Sequence, residues 1–78
     1  MTIRRLVAEG IPWRVRAEVW PDDEGYAGRL TFEPDSVGGR SGAREGPALL
    51  RGTSEGEVLA EAHSLSERRL RLLLHALS

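Results

Sequence analysis

Apolar and polar residues alternate through the first half of this chain and change to helical spacing in its last third. From Trp13 to Trp20 the alternation is regular. Trp13, Val15, Ala17 and Val19 fall on one side and Arg14, Arg16, Glu18 and Trp20 on the other, the period-two pattern of a half-buried strand. Pro21-Asp22-Asp23-Glu24-Gly25 reads as a solvated turn, after which Tyr26, Gly28, Leu30 and Phe32 resume the alternation up to Glu33. These two strands predict an antiparallel hairpin, and charge selects its register. One pairing sets Arg16 against Arg29. Another sets Glu18 against Arg29 and Arg14 against Glu33, with Val15 over Phe32 and Ala17 over Leu30. Opposite charges and matched apolar pairs stabilise the second, which is the register expected.

Ile3 to Ala8 predicts a first strand, ended by Glu9-Gly10 with Pro12 as punctuation. Asp35 to Gly46 is rich in Gly, Ser and Arg and predicts a mobile connection. Pro47 to Arg51, apolar at Ala48, Leu49 and Leu50, predicts a fourth strand, and Gly52-Thr53 turns into helix. Two capping-box patterns follow. Ser54 and Ser64 each stand three residues before a glutamate, Glu57 and Glu67, so that each hydroxyl can accept an amide while each carboxylate reaches back. Val58, Leu59 and Ala62 share a face of the first helix. Leu70, Leu73, Leu74 and Leu77 share a face of the second. A single kinked helix from Glu55 to Leu77 is the alternative. Leu65, Leu72 and Ala76 form a second apolar row beside the first, free to meet the other helix or another molecule. The fold expected is α+β. It is a single domain, 1–78, with a three- to four-stranded, mainly antiparallel sheet over 1–52, and two C-terminal helices over 53–78 covering one face.

Composition narrows the function. A chain of 78 residues buries only about 60% of the surface its unfolded form exposes. It contains no cysteine, so neither a disulfide nor a thiolate metal site is open to it. Oligomerisation or a bound partner is the remaining source of added stability. The formal net charge is −1, and all its positive side chains other than histidine are arginine, which argues against a general nucleic-acid or membrane-surface binder. The lack of lysine removes Schiff-base chemistry. Charges interrupt the first twenty or so residues throughout, so neither a signal peptide nor a membrane span is expected. The expected location is the cytoplasm.

Candidate chemistry is sparse. His63 and Glu67 are four apart, the minimum for two metal ligands on one helix face, but no third ligand stands at a matching spacing. Asp22-Asp23-Glu24 fits a hairpin tip better than a calcium loop. Gly38-Gly39-Arg40-Ser41-Gly42 lacks the Lys-Ser/Thr ending of a phosphate loop, and no Gly-x-Ser-x-Gly elbow occurs. His75 suits the negative end of a helix. The expectation is a protein that is not an enzyme and has no cofactor and no metal. Arg14, Arg16 and Arg29 with Trp20 make one sheet face basic, and Arg68, Arg69, Arg71 and His75 do the same for one side of the last helix. Either could meet nucleic-acid phosphates, although Glu18, Glu33 and Glu67 stand ready to neutralise them.

Gly25-Tyr26, Pro34-Asp35 and then Gly52-Thr53 opening a helix with Glu57 and Ala62 occur in an order that resembles HicB-type antitoxin modules. The resemblance covers Gly25 to Ala62 and implies a small sheet-plus-helix domain that caps a toxin ribonuclease. Glu57 to Leu77 also resembles the helical part of addiction-module antitoxins. Neither resemblance implies catalytic residues. The leading expectation is a non-enzymatic protein-interaction module that homo-oligomerises or binds a protein partner. Leu65, Leu72, Ala76 and Trp20 are its candidate interface. The alternatives are an antitoxin-like regulator, or a nucleic-acid-binding domain using Arg14, Arg16, Arg29, Arg68 and Arg71.

Overall fold

A two-residue turn joins β1 (Thr2–Ala8) to β2 (Ile11–Asp22). Its residues Glu9 and Gly10 both have positive φ, 54° and 79°, the left-handed pair that matches the twist of a tight hairpin. A second two-residue turn, Asp23-Glu24, leads to β3 (Gly25–Pro34). The computed structural model describes residues 2–35 and 42–77.

β2 and β3 pair in the expected register: Arg14 opposes Glu33, Val15 opposes Phe32, Ala17 opposes Leu30 and Glu18 opposes Arg29. Both strands run further than the alternation suggested, because Pro21 and Asp22 continue the ladder opposite Tyr26 and Gly25. On the other side β1 places Leu6 against Trp13 and Arg4 against Val15, with a register slip between Thr2 and Arg4. β1 begins opposite Arg16, so among the described residues no strand pairs with β2 beyond that point on this side. Pro21, which has no N–H, cannot donate to a further strand there.

The far side of β3 carries a split edge strand. β4 (Arg44–Glu45) pairs with Phe32 and Thr31, and β5 (Leu50–Gly52) pairs with Gly28, Ala27 and Tyr26. The expected fourth strand is thus shorter, and Arg44, Glu45 and Gly46 are held by the sheet, the last through its N–H to Leu30 O at 2.8 Å. At the start of the expected mobile connection the Asp35 N–H donates to Pro12 O at 2.9 Å, and residues 36–41 lie outside the described residues.

Two helices follow, α1 (Glu55–Ser64) and α2 (Glu67–Ala76). Ser54 caps α1, its Oγ accepting from the Glu57 amide at 3.2 Å. The Glu57 carboxylate reaches one residue further back than a capping box requires, accepting from the Thr53 N–H and hydroxyl at 3.1 and 2.9 Å. The second cap differs from expectation. Ser66, not Ser64, accepts the Arg69 amide, at 3.2 Å, while Ser64 Oγ donates to Glu61 O at 2.7 Å. Leu65 takes extended backbone between the helices, so the single-helix alternative does not hold. His63 and Glu67 consequently belong to different helices.

Val58 and Ala62 of α1 and Leu70 and Leu74 of α2 are fully buried against Leu6, Trp13, Val15, Ala17, Leu30, Phe32 and Leu50. The helices cover one face, giving the α+β architecture expected. Close approach of α1 depends on Gly28, where a Cβ would stand 2.7 Å from Val58 Cγ1 and 3.0 Å from Glu18 O. Among the described residues no helix is long and apolar enough to cross a membrane.

Candidate functional site

The interruption of the edge strand opens the candidate site. Leu30 and Gly28 of β3 are two residues apart, whereas their edge partners Gly46 and Leu50 are four apart, so two extra residues must bulge outward. Pro47 cannot donate to a ladder. The chain instead closes a three-residue turn in which the Leu49 N–H donates to Pro47 O at 2.9 Å. Leu50 returns to the core and Leu49 is left 65% exposed.

Beside this bulge lies an apolar groove of about 330 Å³, at the small end of the roughly 300–1,000 Å³ typical of ligand clefts. Leu30, Phe32 and Leu50 lie on its sheet side, and Leu65, Leu73 and Leu77 on its helix side. Two charged side chains, Glu61 of α1 and Arg69 of α2, also line it. Among the described residues neither forms an ion pair.

The expected interface residues divide between two places. Leu65 lines the groove, half-buried. Leu72, 62% exposed, and Ala76, exposed, lie beyond it. An α-helix turns about 100° per residue, which places Ala76 and Leu72 roughly 60° and 100° round from Leu73, away from buried Leu70. Leu72 and Ala76 thus lie on the solvent side of the groove wall, with Arg69, roughly 40° round from Leu73, between them and Leu73. Trp20 is not brought to the groove. It sits on the opposite sheet face, half-buried and across from buried Ala27, with the Arg29 guanidinium 5.9 Å from its ring centre.

That opposite face is a ladder of opposite charges. Arg14 and Arg5 both meet Asp35, at 3.2 and 3.0 Å. Arg16 meets Glu33 at 3.4 Å, and Arg29 bridges Glu18 and Glu45 at 3.2 and 2.9 Å. Arg51 pairs with Asp22 of the hairpin tip. The Arg29 hydrogen bond, aided by that of Thr31, holds the Glu18 carboxyl below its ordinary range. On α2, Arg71 donates to Glu67 and to Val7 O, both at 3.1 Å, while Arg68 makes no ion pair among the described residues. The arginines considered for nucleic acid thus occupy two separate surfaces.

A second arrangement had no counterpart in the sequence pattern. Arg44 lies 4.8 Å from the Trp13 ring centre, and its two terminal nitrogens grip Glu9 at 3.0 and 3.2 Å while one also donates to Leu74 O at 3.1 Å. It ties the β1–β2 turn, the edge strand and the end of α2 together. The Arg44 hydrogen bond also lowers the Glu9 carboxyl, and His75 Nδ1 stands 3.5 Å from the same carboxylate. With Glu9 and Arg44 far apart in sequence, only their shared position at one end of the sheet links them. Among the described residues no group of three or more His, Asp or Glu is placed to hold a metal ion. Comparison of the chain with family models, with curated proteins and with solved structures gives no match.

Proposed function

We propose that this chain is a small protein-interaction module whose docking surface is the groove beside the interrupted edge strand, extended over Leu72 and Ala76. The observation that carries the reading is the groove walled by Leu30, Phe32, Leu50, Leu65, Leu73 and Leu77, with exposed Leu49 on its rim and exposed Leu72 further round α2. Apolar area gathered in one place is what association buries. The opposite sheet face has its arginines matched by carboxylates, which leaves less charge there for phosphates.

The test is purification of the tagged chain from its host, with and without nuclease, alongside Leu49→Glu. A stoichiometric partner, either another protein or an untagged copy of this chain, that survives nuclease and is lost with Leu49→Glu is the expected result. Recovery that collapses on nuclease treatment would instead favour recognition of nucleic acid through the arginines. A small basic protein as the partner would direct the reading to the antitoxin alternative.

A further inference from the structure

The charges lining the groove bear on what can occupy it. Glu61 and Arg69 are opposite in sign, they stand beside the same groove, and neither finds an ion-pair partner among the described residues. In a two-fold symmetric contact every residue pair occurs twice, with the roles of the protomers exchanged. A surface carrying one unpaired acid and one unpaired base is therefore complementary to itself. We propose that a second copy of this chain covers the groove in a symmetric dimer, with Glu61 of each protomer paired to Arg69 of the other; this rests on the docking reading above.

Area supports a contact wider than the groove. A standard interface buries roughly 800 Å² per partner, about a sixth of the 5052 Å² of accessible surface, so the contact must continue over Leu49 on one side and Ala76 and Leu72 on the other. The leucines then supply the driving force. The two ion pairs fix the register, because a shifted or parallel placement would leave like charges facing or apolar side chains in water.

Sedimentation velocity of the full chain over a wide concentration range tests this, with circular dichroism to show that each variant is folded. The wild type is expected to sediment as a dimer. Glu61→Arg and Arg69→Glu should each weaken dimerisation about tenfold, since each breaks two symmetry-related pairs, and the double swap E61R/R69E should recover most of the loss. A wild type that remains monomeric at the highest concentration overturns the proposal, as does a double swap no tighter than the single ones. If the monomeric chain still loses a different captured protein with Leu49→Glu, the second copy is wrong and the docking reading stands. If Leu49→Glu changes neither assembly nor capture, both fall.

Discussion

Gly28 of β3 lies directly beneath Val58 of α1, so close that a Cβ there would stand 2.7 Å from Val58 Cγ1. The helix rests on bare backbone at this point, which brings fully buried Val58 into the core. Gly28→Ala should push α1 outward and destabilise the fold by about 1–3 kcal/mol, the usual cost of overpacking. Val58→Ala leaves a small cavity of its own, but the two changes should offset each other, so the double variant is expected to unfold at a higher urea concentration than additivity allows. Additive losses would show that the contact does not limit the approach.

The cap of α2 separates two serines that sequence spacing confuses. Ser66→Ala should cost about 1 kcal/mol, since its hydroxyl accepts the Arg69 amide. Ser64→Ala should cost less, because the Ser64 hydroxyl is a donor to a carbonyl of its own helix. Denaturation midpoints of both variants decide between them, and equal losses would contradict the assignment.

The same pair of serines shows what is legible in a sequence. The hairpin register can be read because Glu18 with Arg29 and Val15 with Phe32 favour one alignment together, and every cue is a cross-strand neighbour. The second cap cannot. Glu67 stands three residues after Ser64, satisfying the capping pattern, but Leu65 packs against the core in extended backbone and delays the helix to the next serine. Tertiary packing overrides local spacing there. The groove is less legible still, for Pro47 signals a break in the strand, while the wall opposite comes from Leu73 and Leu77, far along the chain. Of the expected row, Leu72 and Ala76 lie exposed on α2. Leu65 closes α1 rather than continuing α2, and Trp20 lies across the sheet from all three.

Arg44 should act as a latch on Trp13. In Arg44→Ala the indole loses the guanidinium 4.8 Å away, and the turn at Glu9 loses its tie to Leu74 O. The expected outcome is a changed near-ultraviolet signal from Trp13 and faster amide exchange in the last turn of α2. Arg44→Lys should restore only part of it, because a lysine cannot grip the Glu9 carboxylate with two nitrogens. Unchanged exchange at Leu77 would remove the latch from the account of α2.

Acid should weaken the fold through three glutamates. An ordinary glutamate carboxyl titrates near 4.5, and those of Glu9, Glu18 and Glu57 lie lower in the folded chain. At Glu9 and Glu18 the first cause is a hydrogen bond from an arginine, and at Glu57 it is the Thr53 backbone N–H. Between the folded and unfolded values the unfolded chain holds more protons, so stability rises with pH across that interval. The contribution is complete above the unfolded value and drains away as pH falls below about 4.5 through the lowered ones. Urea midpoints should therefore be level near neutrality and decline in acid. Because Glu57 accepts from Thr53 without any arginine nearby in its hydrogen bonds, its share should persist in high salt, whereas the shares of Glu9 and Glu18 should shrink as their ion pairs are screened. Carboxyl titrations followed by NMR at low and high salt check this site by site. A Glu57 carboxyl that returns to its ordinary value in salt would mean that a charge, rather than the Thr53 amide, sets its acidity.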